Sequence, residues 1–293
     1  MPIQVYCDAG SNLYPAVLKA KNADIKVLAM SVTVNEKVFR FYDDNIDVAA
    51  FSKEFYESIN PSKKNVRTSL VSTGEYLEAF QKEVAAGNKV ICFTMAKGIS
   101  GTYNSARLAA EQTNEEAGKE VVHVVNTATA GFGEGMQALR AYEDIQAGKS
   151  FEEVVKNAED FVFKVRSEFT VDDIVYLANT GRVSTLVAKI ANILRIKVML
   201  KGSDESEIVL TKKVHGRKSA LKDLSATCLE KIVDKNQLIY ISHCNCEEDA
   251  NSVKDELIKG GCPNVEVYPY DLVTGAHVGP GCVAIFYVGE NRN

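Results

Sequence analysis

Val90–Glu111 reads VICFTMAKGISGTYNSARLAAE, and the order of its parts decides the fold class. Val90-Ile91-Cys92-Phe93 is a short apolar run of β type. It empties into a loop carrying Gly98 and Gly101, and a helix is predicted from about Thr102. Strand, short loop and helix form the repeating unit of an open α/β sheet. The loop sets the small hydroxyls of Ser100 and Thr102, with the backbone of Gly101, at a helix N-terminus. Unpaired N–H groups and the macrodipole both favour negative charge there. Two motifs of similar composition do not fit. A phosphate-binding G-x-x-x-x-G-K-[ST] loop needs a lysine after the second glycine, whereas Lys97 precedes Gly98. A nucleophile elbow needs G-x-S-x-G, and Thr102 stands where its last glycine belongs. Ser100 or Gly101 can equally act as a plain helix cap.

Upstream, Ile3–Tyr6 reads as the first strand, with a helix from about Pro15. Asp8 stands at that strand's carboxyl end, where open α/β sheets place ligand-facing groups and where a loop acid is also common. Ile25–Asp43 reads as extended with a turn at Asn35-Glu36, then come helix Asp47–Ser58 and polar loop Asn60–Asn65. Val66–Leu70 is a short strand, and Ser72-Thr73-Gly74-Glu75 is a capping box opening helix Tyr76–Ala86. Capping occupies Ser72 and Thr73 and leaves Thr68 and Ser69 free to face a ligand. Downstream lie strand Glu120–Val125, loop Asn126–Gly135 and helices Met136–Ala147 and Phe151–Val165. The glycines of Gly131-Phe132-Gly133-Glu134-Gly135 are too closely spaced for a dinucleotide fingerprint and point to tight helix packing. The alternation implies a mostly parallel sheet covered by helices.

From Ser167 the order of elements changes. Strand Ser167–Val171 is followed by helices Asp173–Ala178 and Ser184–Leu194, and by a hairpin of Ile196–Leu200 with Ile208–Val214. Helix Ser219–Val233, strand Leu238–His243, helix Glu247–Lys259 and strands Val265–Tyr268 and Val283–Val288 complete a second α/β unit. The expectation is two α/β domains, residues 1–166 and 167–293, with a ligand in the cleft between them.

The 293 residues are 46% hydrophobic and 25% charged, which suits a globular chain with a large core. A net charge of −5 without a basic stripe speaks against nucleic acid. No apolar run approaches the length of roughly 18 residues that a membrane span needs, so no stable membrane insertion is expected. The seven scattered cysteines read as reduced thiols, which predicts a cytoplasmic protein. His243-Cys244-Asn245-Cys246 lacks a second ligand pair at zinc spacing, so neither a metal nor a cofactor is expected.

Taken together, four segments in order resemble the DegV family of bacterial fatty-acid-binding proteins. They are Val66-Arg67-Thr68-Ser69, Ile99-Ser100-Gly101-Thr102-Tyr103-Asn104-Ser105-Ala106, Phe169–Ile174 through Thr180-Gly181-Arg182-Val183-Ser184, and Ala276-His277-Val278-Gly279-Pro280-Gly281. The resemblance spans essentially the whole chain. It implies one long-chain fatty acid in a buried tunnel between the two domains, its carboxylate presented to a partner fatty acid kinase for acyl-phosphate formation feeding phospholipid synthesis. It also implies a carrier rather than an enzyme. Carried onto the matching positions, the carboxylate would meet Thr68, Ser100, Gly101 and Thr102, with His277 close by. Arg182 would sit at the kinase-facing rim. Ser69, Lys97, Asn126, His215 and Arg217 would surround the head group. The chain departs from the pattern at Thr180, where a second glycine is usual, and at Lys97, where a small or polar residue is usual. Asn126 replaces a frequent aspartate, and His215 an arginine, with Arg217 two residues on.

Burial of a chain of about sixteen carbons supplies on the order of 12 kcal/mol of gross driving force, so the head group need only be oriented. Two other classes stay open: a lipid-binding storage or regulatory module without a kinase, and a serine hydrolase with Ser100 as nucleophile and His277 as base.

Overall fold

The computed structural model describes residues 1–40, 42, 47–59, 66–183 and 196–292. The expected helix Ser184–Leu194, the loop Asn60–Asn65 and part of the Ile25–Asp43 segment lie outside the described residues.

The N-terminal sheet is built from β1 (Ile3–Asp8), β2 (Ile25–Leu28), β6 (Lys89–Thr94) and β7 (Val122–Asn126), with helix α1 (Pro15–Lys21) between the first two. Its order is β2-β1-β6-β7 and it is parallel throughout. In β6, Val90 to Thr94 are all buried, as a central strand covered on both faces requires. Helices α3 (Thr73–Ala85) and α4 (Thr102–Ala117) pack on each other and on β6. The predicted capping box is present: Ser72 Oγ accepts from Glu75 N–H, and the Glu75 carboxylate accepts from Ser72 N–H.

A separate antiparallel sheet holds β3 (Val32–Val34), β4 (Lys37–Phe39) and β5 (Val66–Thr68) in the order β4-β3-β5, with helix α2 (Val48–Ser58) between the last two in sequence. Asn35 and Glu36 make its hairpin turn, both at positive φ. Thr68 thus ends a strand of this small sheet, with the parallel sheet elsewhere.

The C-terminal sheet comprises β8 (Val165–Thr170), β9 (Ile196–Gly202), β10 (Ile208–His215), β11 (Ile239–His243), β12 (Val265–Pro269) and β13 (Val283–Val288). Its order is β10-β9-β8-β13-β11-β12. Only β11 and β12 run parallel; the other pairs are antiparallel. Helix α7 (Ile174–Asn179) follows β8, and helices α8 (Arg217–Lys231) and α9 (Glu247–Lys259) cover one face.

Helix α5 (Phe132–Gln146) packs on β1 and β6 of the first sheet and also on β8, β11 and β13 of the second. It is buried almost all round, as a helix between two layers must be. Its start is set by close approach: a Cβ on Gly133 would lie 2.3 Å from Thr129 Oγ1, and one on Gly135 2.4 Å from Ser11 O. Phe132 stacks on Tyr240 with ring centroids 4.3 Å apart, joining the two domains. This helix begins four residues before the predicted Met136, because its glycines read locally as loop although they serve packing.

Other elements differ from expectation as well. Helix α6 (Phe151–Val162) ends early and β8 starts at Val165. Leu272–Val278 forms a short helix, here numbered α10, where the sequence pattern predicts no element. Asp271 starts it by accepting from Thr274 N–H at 2.7 Å, and seven residues containing a glycine carry too little periodicity to register as a helix. Among the described residues no helix is long and apolar enough to cross a membrane.

Candidate functional site

The β6–α4 loop is a tight turn in which the N–H groups of Ile99 and Ser100 both donate to Ala96 O, at 3.0 and 3.2 Å. Gly101 caps α4, and Thr102 N–H donates to Ser100 Oγ at 3.2 Å. That leaves the Ser100 hydroxyl hydrogen free to point outward. The Thr102 side chain does not face the same way. Its hydroxyl is buried 3.0 Å from Tyr76 OH, against α3, so the expected direct role of Thr102 is corrected to support of the loop.

Thr68 comes to this loop from β5, and His277 from α10. Thr68 Oγ1 and His277 Nε2 are 2.9 Å apart. Beside Thr68, Ser69 Oγ accepts from Ser31 N–H at 3.0 Å and Ser69 N–H donates to Ser31 O at 2.9 Å, which fixes the end of β5. Helix α10 is held from behind by Tyr176 OH of α7, which donates to Ala276 O at 2.6 Å.

Burial pushes the His277 imidazole down to about 3, with the Arg182 guanidinium adding to the effect. At neutral pH the ring is therefore uncharged. Its Nδ1 is buried without a hydrogen-bond partner among the described residues. With the proton on Nε2, His277 donates to Thr68 Oγ1, and the Thr68 hydroxyl hydrogen becomes available to an acceptor. In that tautomer Thr68, like Ser100, is held from behind by an N–H donor with an O–H left to give.

Both open onto a cavity of about 170 Å³ that is also lined by Ser69, Gly101, Arg182 and His277. Its remaining walls are largely apolar: Met30, Met95, Leu70, Ile99, Leu177, Ile208, Val273 and Val278, with Thr274. Ile99, Ile208, Thr274 and Val278 also line a second cavity of about 50 Å³, whose other walls include Ala128, Ala130, Phe169, Tyr270 and Phe286. The first cavity thus gathers the hydroxyls of Thr68 and Ser100, His277 and Arg182, the adjoining second is mostly apolar, and the walls of both come from the N- and C-terminal halves of the chain. Of the lining residues, Met30, Leu177, Ile208 and Val273 carry no local sequence signal, since apolar residues facing a cavity and facing the core look alike.

The expectation for Arg182 is an exposed rim facing a partner. Instead it is half-buried, lines the same cavity as Thr68, Ser100 and His277, and has its pKa lowered by burial. Lys97 is exposed and contributes its backbone N–H, which donates to Asn126 Oδ1 at 3.1 Å. His215 and Arg217 do not line the cavity. His215 is exposed at the end of β10. Arg217 donates to Asp249 Oδ2 at 2.8 Å and to Gly281 O at 2.7 Å, so it anchors the turn that follows α10. The expectation that these two surround the head group is corrected accordingly: His215 ends β10 and Arg217 opens α8, and neither lines the cavity.

Asp8 is wholly buried, accepting from Gly10 N–H at 2.8 Å and Met95 N–H at 3.0 Å, and burial pushes its carboxyl up to about 6. It organises the backbone ahead of the Ser100 loop. In the His243–Cys246 segment, Cys246 N–H donates to His243 Nδ1 at 3.4 Å and both cysteines are free thiols. Among the described residues no three His, Cys, Asp or Glu side chains converge to hold a metal.

The sequence model of the family described as "Uncharacterised protein, DegV family" matches residues 2–290. The chain belongs to the DegV family. A DegV domain-containing protein of Clostridium perfringens is 32% identical over 295 residues, covering 98% of each chain. In structure, this DegV chain is similar to the fatty acid binding DegV protein of Streptococcus agalactiae, with a TM-score of 0.85 at 24% identity, covering 99% of this chain and all of that one. It is also similar to the Streptococcus pneumoniae Fatty Acid Kinase B3 protein, solved loaded with linoleic acid, with a TM-score of 0.80 at 20% identity over 99% and 100% of the two chains.

Proposed function

We propose that this chain binds one long-chain fatty acid in the space between its two domains and presents the carboxylate at the Thr68–Ser100–His277 end to a partner fatty acid kinase. The observation that carries the reading is the polarity of that space. Two hydroxyls and a guanidinium meet at one end, and Phe169, Tyr270 and Phe286 close the other. A carboxylate accepts from the Thr68 and Ser100 hydroxyls and from Arg182, with Gly101 lining the approach, while the acyl chain passes Ile99, Ile208 and Val278. The kinase partnership is supported by the likeness to the pneumococcal Fatty Acid Kinase B3 protein. The free thiols support a cytoplasmic setting. In this reading the division between the domains falls at the turn of residues 163–164, just before β8, since residue 166 lies within that strand.

In this reading the protein is a carrier. For a hydrolase, His277 would have to serve Ser100, yet its Nε2 is engaged with Thr68 and, among the described residues, its Nδ1 has no acid to orient it. Purifying the protein from cells, weighing it under native conditions and identifying what denaturation releases is the direct test. One acyl chain of about fourteen to eighteen carbons per protein is expected, a length at which methylene burial comfortably exceeds the cost of association. Lipid-free protein that takes up no such chain overturns the reading. Acyl uptake without turnover by any fatty acid kinase leaves the storage module instead.

A further inference from the structure

Asn126 ends β7 and touches neither cavity, but it joins three backbone segments that do. Its Oδ1 accepts from Lys97 N–H at 3.1 Å and from Ala128 N–H at 3.4 Å, and its Nδ2 donates to Ser206 Oγ at 2.9 Å. Lys97 opens the loop that carries Ser100. Ala128 lies on the wall of the inner cavity, and so does Ser206, in the turn between β9 and β10. Ser206 is 1% exposed and adopts a left-handed φ of 70°, so this turn is tightly held. Gly98 makes the junction close: a Cβ there would lie 2.2 Å from Ser206 O, a backbone atom that has no rotamer to yield. The head-group loop of one domain and the roof over the acyl path in the other thus meet at one point, through one amide side chain and one glycine.

We propose that Asn126, with Gly98, is a positioning residue for the ligand, fixing the Ser100 hydroxyl relative to the apolar path so that carboxylate and chain are held in the same pose. This rests on the fatty-acid reading above. An aspartate at this position keeps both N–H bonds and can accept the Ser206 hydroxyl, whereas alanine loses all three contacts. A methyl group at Gly98 forces loop and turn apart without altering any polar group.

The test loads the full-length protein with isotope-labelled oleate and follows release into albumin, with oleyl alcohol, which lacks the carboxylate, as the parallel ligand. Asn126→Ala and Gly98→Ala are each expected to release oleate about tenfold faster, a change of about 1.4 kcal/mol. Asn126→Asp should stay within about twofold of the parent, and the Asn126→Ala/Gly98→Ala pair should be no worse than either single change, because both act on one junction. Oleyl alcohol release should rise much less than oleate release, since the alcohol does not depend on the Ser100 geometry. Oleate release that matches the parent in both alanine variants overturns the proposal. So does an equal acceleration for both ligands, which would mean a general loosening. Failure of the parent protein to bind oleate at all overturns the fatty-acid reading and the positioning role together, so the two failures are told apart by the parent protein alone.

Discussion

Thr68 Oγ1 sits 2.9 Å from His277 Nε2, a contact between residues 209 positions apart that joins the small antiparallel sheet to helix α10. His277 is buried and neutral, and with its proton on Nε2 it is a hydrogen-bond donor that orients the Thr68 hydroxyl. Thr102 N–H does the same for Ser100.

Removing either hydroxyl should therefore weaken carboxylate binding and leave the fold alone. Thr68→Ala and Ser100→Ala are each expected to cost roughly 1.5–3 kcal/mol, the range for a hydrogen bond to a charged group. Isothermal titration with a long-chain fatty acid would measure this. If the two residues grip one carboxylate, the double variant loses less than the sum of the singles. Strict additivity would place them on separate groups, and two silent variants would remove the head group from this end of the cavity.

Arg182 should matter for the lipid itself. It lines the same cavity as Thr68 and Ser100 and contributes to keeping His277 uncharged. Arg182→Ala is expected to lower fatty-acid affinity by about tenfold, within the range for a charge-assisted bond, with Arg182→Lys recovering only part because a point charge cannot make a planar two-pronged contact. Unchanged affinity combined with slower kinase-dependent turnover would instead return Arg182 to the partner-facing role.

A buried acid behind the site makes a prediction about pH. Asp271 caps α10, is wholly buried, and has its carboxyl pushed up to about 7, chiefly by burial and in part by the nearby Asp8 charge. Its pKa is higher folded than unfolded, so the stability it contributes is full below about 4 and is lost as pH rises through about 7. An asparagine side chain at this position would keep the cap to Thr274 N–H without titrating. Asp271→Asn should therefore match the parent in urea unfolding at pH 4 and exceed it at pH 8 by on the order of 2 kcal/mol. A gap that does not change with pH, or a variant weaker at pH 8, would contradict the assignment.

The sequence exposes the fold where local chemistry and tertiary role agree. The β6 run, the Ser72–Glu75 capping box and the hairpin flanking Gly202–Ser206 all read correctly because periodicity and caps act over a few residues. It obscures the fold where tertiary packing overrides that chemistry. Helix α5 opens on glycines that would ordinarily signal a loop, since only a bare Cα fits against Thr129 and Ser11. At the site, Thr68, Ser100 and His277 are legible as residue types. Their meeting is not, because it depends on α10, whose helical character no window of seven residues reveals. Arg182 reads too far out for a related reason: its polar turn looks exposed until the cavity behind it is seen.

The largest feature with no sequence signature is Arg292. Its side chain is 1% exposed, and its guanidinium meets five backbone carbonyls, with the Asp204 carboxylate near enough to favour its charge. Nε donates to Val165 O at 3.0 Å, Nη1 to Ala128 O at 2.8 Å and Ser203 O at 3.4 Å, and Nη2 to Thr127 O at 3.1 Å and to Val162 O. Thr127, Ala128 and Val162 belong to the N-terminal domain, while Val165 and Ser203 lie in the second sheet and its hairpin turn, so one fork spans the seam. Burial lowers its pKa to about 10, which still leaves it charged at neutral pH. Arg292→Ala should cost roughly 3 kcal/mol or more, because several buried carbonyls lose their donor at once. Arg292→Lys should recover less than half of that, since three donors radiating from one nitrogen cannot reach carbonyls arranged around a planar five-donor group. Guanidinium chloride melts of both variants decide the point. Full recovery by lysine would show that the charge alone holds the seam, and unchanged stability in both variants would show that the buried fork contributes none.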